Sequence, residues 1–86
     1  MEDDEFMNTQ EAVSARIVEL CWQHDITING LATVSAVPPS TLKNIVSGVS
    51  QNPGIVTLKK LCDGLNISLI EFFDTPIFRE LEQEIQ

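Results

Sequence analysis

The chain has 86 residues, a formal net charge of −8, 43% hydrophobic residues and two cysteines. This length suits one small domain that buries about 60% of its unfolded surface, and the hydrophobic content is too high for a disordered protein. The acidic total argues against a simple nucleic-acid binder, and no apolar run reaches the ~20 residues that a membrane span needs.

Residues 1–7 are predominantly acidic and are expected to form a mobile N-terminus. A signal peptide would begin with positive charge followed by an apolar core, and this segment has neither feature. The chain is therefore predicted to be cytoplasmic and not associated with a membrane.

A first helix is predicted after Asn8 or Thr9, either of which can cap it. Arg16 and Glu19 are expected to form a surface pair beside its apolar face, and Trp22 is expected to be partly buried at its end. The apolar face consists of residues at helical spacing, namely Val13, Ile17, Leu20 and Cys21.

Residues 27–48 predict two short helices joined by a tight turn. Thr27 can cap the first helix, residues 35–37 form the turn, and the second helix spans about 39–47 and ends at Gly48. Proline suits the start of the second helix, because the amide it lacks has no acceptor there. A helix-turn-helix unit exposes one face of its second helix, most commonly to the DNA major groove.

The charges are unevenly distributed along the chain. Between Ile26 and Lys60 there is no Asp or Glu, whereas Lys43, Lys59 and Lys60 lie in that interval. Both ends of the chain are acidic. Because the position of the charges matters more than their sum, the helix-turn-helix unit stays compatible with a polyanionic partner.

A fourth helix is predicted to begin at residues 52–53 or at Thr57 and to end near Gly64 and Asn66. Its apolar stripe is expected to consist of Ile55, Leu58, Leu61, Cys62 and Leu65.

A short fifth helix is predicted to open with a capping box of Ser68 and Glu71. Residues 75–86 then predict a C-terminal amphipathic helix. Its narrow apolar stripe either packs back onto the domain or forms a dimer surface, two alternatives of similar weight. The stripe consists of Ile77, Phe78, Leu81 and Ile85.

The sequence contains no pattern typical of a catalytic or metal site. Cys21 and Cys62 occupy apolar helical positions and are expected to be buried thiols, and the chain has one histidine and no C-x-x-C pair. No nucleophile–base combination or Gly-rich phosphate loop occurs. The chain is therefore predicted not to be an enzyme and to need no metal, cofactor or small-molecule ligand.

The ordered pattern over about residues 14–74 resembles the lambda-repressor-like helix-turn-helix family, the Cro and phage-repressor (XRE-type) regulators of bacteria and phages. The resemblance implies an all-α, compact five-helix domain over residues 8–74, here with an additional C-terminal helix over 75–86. The residues that show it are Arg16, Ile17, Leu20, Ile26, Thr27, Leu31, Ala32, Ser35, Ala36, Val37, Ser40, Thr41, Leu42, Ile45, Gly48, Asn52, Pro53, Thr57, Leu58, Lys60, Leu61, Cys62, Leu65, Asn66, Ile67, Ser68, Leu69, Glu71, Phe72 and Phe73.

This resemblance implies a sequence-specific transcriptional regulator, typically a repressor, that binds double-stranded DNA as a homodimer. The family's base contacts fall at Pro39, Ser40, Lys43 and Asn44. Its phosphate contacts fall at Thr27, Thr41, Ser47, Ser50, Gln51 and Asn52.

Three positions depart from the family pattern. Ala36 stands where glycine is common, which implies either a strained left-handed residue or a shifted turn. Ile28 and Pro39 replace glutamines, so direct readout depends on Lys43 and Asn44. These losses and the acidic total favour the alternative function, a protein-interaction or antitoxin-like module on the same scaffold with little DNA binding.

Overall fold

The computed structural model describes residues 7–85, and the regular elements of that part of the chain are all helices. No strand occurs among those residues, and the all-α fold class predicted above is confirmed. Of the acidic N-terminus, residues 1–6 lie outside the described part. The helices are α1 (Thr9–Gln23), α2 (Ile28–Ser35), α3 (Pro39–Ser47), α4 (Ile55–Leu65), α5 (Leu69–Phe73) and α6 (Pro76–Arg79).

The first helix begins where its capping residue predicts. The Asn8 side chain accepts a hydrogen bond from the Glu11 amide at 2.8 Å, and the Glu11 carboxylate accepts one from the Asn8 amide at 3.1 Å. This reciprocal capping box satisfies two donors that a helix start otherwise leaves unpaired. At the other end Asp25 adopts a positive φ of 53° and turns the chain into α2.

One apolar core joins the helices, with α2 packed between α3 and α4 and with α1 packed against α3. Its largest fully buried side chains are Phe72, Ile17, Leu31, Leu42, Ile45, Leu61 and Cys62. Both cysteines are free and buried, as predicted. Because α2 and α3 each bury one face in this core, their opposite faces point to solvent.

Arg16 occupies a different environment from the predicted surface position. It pairs with Glu19 at 2.8 Å as expected, but the residue is only 8% exposed. Its guanidinium also donates to the carbonyl oxygens of Phe72 at 2.7 Å and Glu71 at 2.8 Å. The side chain therefore ties α1 to the end of α5, since a guanidinium can donate in several directions from one plane.

Two predictions about helix surfaces are wrong. Trp22 is 83% exposed, because it lies on the outer side of the last turn of α1. The fourth helix begins at Ile55 with Gly54 as its N-cap, between the two predicted starts. Ile55 therefore lies in the first turn of α4, where it is 58% exposed instead of contributing to the core.

The C-terminal segment is helical only over Pro76–Arg79, much less than the predicted 75–86. Phe78 packs its ring against Phe73 at a centroid distance of 4.9 Å, and the amide of Glu82 donates to the carbonyl of Met7 at 3.1 Å. Like charges four residues apart, as at Glu80 and Glu84, oppose continuation of the helix. The segment thus folds back onto the domain.

A search of the described helices for one long and apolar enough to cross a membrane finds none.

Candidate nucleic-acid interface

The turn between α2 and α3 is formed by a left-handed alanine. Ala36 has φ 55° and ψ 38°, and its amide donates to the carbonyl of Thr33. Val37 is buried beneath the turn, and its amide donates to the carbonyl of Ala32 at 3.0 Å. Of the two alternatives for this position the structure has the strained residue, at a cost of roughly 1–2 kcal/mol, and the turn is not shifted.

The N-terminus of α2 presents donors to solvent. The Thr27 hydroxyl accepts a hydrogen bond from the Gly30 amide at 2.9 Å, so it caps the helix as predicted. Amides in the first turn of a helix have no acceptor within the helix, and together with the helix dipole they favour an anion. Thr27 is exposed, which places a hydroxyl beside these amides.

The outer face of α3 contains the four residues predicted to contact bases. The inner face of α3 includes Leu42 and Ile45, whose side chains are almost completely buried. Residues spaced by four lie on one side of a helix, so Lys43 projects one turn beyond Pro39. All members of the predicted set are exposed, namely Pro39, Ser40, Lys43 and Asn44. The fold brings them together on one accessible surface.

The loop after α3 folds back against the end of that helix. Gly48 stops α3 with φ 89°, a left-handed conformation that suits glycine. The amide of Ser50 donates to the carbonyl of Asn44 at 2.9 Å, and the Gln51 side chain donates to the carbonyl of Gly48. Of the predicted phosphate contacts, Ser50 is half-buried, and the exposed ones are Thr27, Thr41, Ser47, Gln51 and Asn52.

Lys43 is the one charged residue between Ile28 and Asn52 in the sequence. The surface formed by α2, α3 and the following loop is therefore nearly neutral, and hydrogen-bond donors outnumber charges on it. Burial raises the pKa of the Cys21 and Cys62 thiols, so neither offers a thiolate nucleophile near neutral pH. Within residues 7–85 no group of three His, Cys, Asp or Glu side chains is placed to hold a metal ion.

Two residues of α1 that the sequence pattern did not single out contact the end of α3. The side-chain amide of Gln10 donates to the carbonyl of Ile45 at 2.9 Å, and the Ser14 hydroxyl donates to the carbonyl of Val46 at 2.5 Å. The sequence signal for Gln10 is its spacing: this polar residue lies three residues before Val13 and so continues the apolar stripe of α1 at its start.

Comparisons with known proteins agree with this geometry. A family model described as Helix-turn-helix matches residues 19–72. The crystal structure of the prophage Lp1 protein 11 is similar to this chain, with 37% sequence identity and a TM-score of 0.77. The match covers 88% of this chain and 100% of that protein. No curated protein sequence matches the chain.

Two further solved structures are similar. An HTH_3 family transcriptional regulator from Vibrio cholerae is 25% identical, with a TM-score of 0.71 over 79% of this chain and 38% of the regulator. The restriction-modification controller protein C.Esp1396I is 24% identical, with a TM-score of 0.72 over 87% of this chain and 95% of the controller. At 24% identity, the similarity to C.Esp1396I shows a shared fold.

Proposed function

The chain belongs to the helix-turn-helix family, and we propose that this DNA-binding regulator is a transcriptional repressor that inserts α3 into the major groove as a homodimer. The observation that supports this proposal best is that the outer face of α3 is exposed and free of acidic residues. Such a regulator acts where the DNA lies, in the cytoplasm of a bacterial cell.

Base readout in this proposal depends on few side chains. Lys43 donates to the O6 and N7 acceptors of guanine, and Asn44 pairs with N6 and N7 of adenine. Ser40 adds a hydroxyl that suits several bases, and Pro39 offers an apolar contact. Each good bidentate pair is worth about 1–3 kcal/mol of discrimination, so an operator read in this way has few strongly specified positions per half-site.

The proposed phosphate contacts come from the start of α2, from α3 itself and from the loop after α3. The amides at the start of α2, with Thr27 beside them, precede α3 in the chain, and the loop over residues 47–52 includes the end of α3 and the segment after it. Contacts to phosphates set the register of a protein on DNA without reading its sequence. We assign this role to Thr27, Thr41, Ser47, Ser50, Gln51 and Asn52.

A homodimer is proposed because one module of this size contacts little DNA and would bind weakly. Two copies related by a two-fold axis read a palindromic site with half-sites about one helical turn apart. Of the predicted dimer surface, Phe78 packs against Phe73 within the chain, whereas Ile85 is 86% exposed. We therefore centre the dimer surface on Ile85, with Ile77 and Leu81 at its edge.

Sedimentation equilibrium tests the dimer. The mass should rise with concentration towards twice that of the chain, and Ile85→Glu should shift this rise to higher concentration. Val49→Glu is the matched control, because Val49 is also exposed but lies in the loop after α3. A monomer at every concentration would exclude the dimer. Truncation after Thr75 is unsuitable, since it removes Phe78 from the aromatic cluster.

Selection of binding sites from a library of random duplexes tests DNA recognition. The purified protein should enrich a short palindromic motif, and affinity for it should fall steeply as salt rises. A protein-interaction module would enrich no motif and would leave the duplexes unbound even at low salt. The latter result would overturn the proposed function.

A further inference from the structure

We propose that Gln10 and Ser14 of α1 are positioning residues that hold α3 in the orientation from which its outer face reads DNA bases. This inference rests on the proposed function, because it concerns the same reading helix. It adds two residues that lie away from the exposed face of α3 and outside the set expected to touch DNA.

The hydrogen bonds from these two residues reach consecutive carbonyls at the end of α3. Gln10 donates to Ile45 across 35 residues of sequence, and Ser14 donates to Val46 across 32. Gln10 is only 9% exposed and Ser14 is half-buried, so water competes little for these bonds. The last carbonyls of a helix lack the amide donors that earlier carbonyls have. The Ile45 carbonyl accepts from the Gly48 amide at 3.3 Å as well as from Gln10, and the Val46 carbonyl accepts from Ser14.

Two attachment points constrain α3 more than one does. Gln10 and Ser14 lie four residues apart and therefore share one face of α1, stacked one turn above the other. A single hydrogen bond would leave α3 able to pivot about it. Two bonds to neighbouring carbonyls fix both the position of the helix end and its rotation about the helix axis.

At the start of α3 the described residues supply no side-chain cap. Pro38 occupies the N-cap and makes no side-chain cap hydrogen bond. The orientation of α3 thus depends on the turn before it, on the burial of Leu42 and Ile45, and on the two donors from α1. Hydrogen bonds to bases tolerate changes of only a few tenths of an ångström in the donor–acceptor distance. A small rotation of α3 would therefore weaken base readout by Lys43 and Asn44.

The test compares affinity for the selected motif with affinity for a scrambled duplex at one salt concentration. Gln10→Met removes the donor at similar length, and Ser14→Ala removes the hydroxyl. Each should lower this ratio about tenfold, equivalent to about 1.4 kcal/mol, while non-specific affinity changes less than about twofold. Ser14→Thr, which keeps a hydroxyl, should retain the wild-type ratio.

Phe72→Leu is the stability control, because Phe72 is buried in α5 and makes no contact with the reading face. It should lower the melting temperature and leave the ratio unchanged, whereas a purely structural role for Gln10 and Ser14 would make all destabilised variants alike. If Gln10→Met does not fold, the comparison of Ser14→Ala with Ser14→Thr decides whether the positioning role holds.

The outcomes separate the two proposals. A wild-type protein that binds no duplex overturns the proposed function and the positioning role with it. A wild-type protein that selects a motif, with an unchanged ratio in folded Ser14→Ala and Gln10→Met, overturns the positioning role alone.

Discussion

The side chain of Ser35 in α2 fills the space that a Cβ atom on Gly64 of α4 would need. Such a Cβ would overlap the Ser35 hydroxyl and lie 3.2 Å from the Ser35 Cα. Gly64 is inside α4, which continues to Leu65 and ends with the left-handed Asn66. The glycine therefore allows the close approach of α2 and α4, a role different from the helix terminator that the sequence suggested.

We expect Gly64→Ala to destabilise the protein by roughly 1–3 kcal/mol, because overpacking forces two helices apart. The sign of the change in the free energy of unfolding distinguishes this close contact from an ordinary helix position. In an open helix interior the same change stabilises by about 1 kcal/mol, since alanine has the higher helix propensity. Urea unfolding of both proteins measures the difference in the free energy of unfolding.

Ser35→Ala provides the control for this contact. The Ser35 hydroxyl is buried and has no hydrogen-bond partner among the described residues, so its removal should be neutral or stabilising. Adding Ser35→Ala to Gly64→Ala should recover part of the lost stability. A Gly64→Ala protein more stable than wild type would show that α2 and α4 separate freely.

Arg16→Ala is expected to destabilise by roughly 2–4 kcal/mol, because it leaves the carbonyls of Glu71 and Phe72 without their charged donor. Arg16→Lys should rescue little of this loss, since a single ammonium cannot reproduce the planar fork of the guanidinium. Glu19→Gln should cost less than about 1 kcal/mol, because Glu19 is half-exposed. Equal effects at Arg16 and Glu19 in denaturant titrations would contradict the anchoring of α5.

Lys43→Ala and Asn44→Ala should affect DNA binding in different ways. Loss of the Lys43 charge should weaken binding and reduce the slope of log affinity against log salt by about one. Loss of the Asn44 amide should leave that slope unchanged and relax preference at one base pair, by about 1–3 kcal/mol. Titration of operator variants at several salt concentrations measures both quantities.

Arg79→Ala is the charge-matched control for Lys43→Ala. Arg79 pairs with Asp74 at the C-terminal end of the chain, away from α3. Its removal changes the net charge equally and should affect the salt slope much less. If both variants lose the same slope, the effect of Lys43 comes from overall charge and not from a contact.

The two buried thiols predict a loss of stability in alkali. Burial raises the pKa of both Cys21 and Cys62 above the unperturbed thiol value of about 8.5. Between that value and the folded-state pKa, the unfolded chain has released protons that the folded chain still holds. The free energy of unfolding therefore falls as pH rises through this window.

The variant Cys62→Ala tests this assignment. It should have a lower free energy of unfolding near pH 7, because it leaves a small cavity, and a flatter decline above about pH 8.5. Unfolding in urea at a series of pH values gives both curves. Parallel curves for variant and wild type would assign the alkaline decline to other groups.

The sequence alone was sufficient for features that depend on neighbours three or four residues away. Asn8 caps α1, one of the two predicted caps, Ser68 with Glu71 forms the predicted capping box, and Gly48 ends α3 as expected. The polar outer face of α3 follows from the same helical period. These features are local, so the order of residue types determines them directly.

The tertiary structure decided what depends on contacts between distant segments. Only the packed fold shows that Arg16 reaches Phe72, 56 residues away, and that Gln10 reaches Ile45. It also shows that Phe78 joins the core while Trp22 remains in solvent. The period of a helix indicates which of its faces is apolar, but not which partner each side chain meets. That choice depends on how the helices pack around one small core, and it sets the orientation in which α3 presents its outer face.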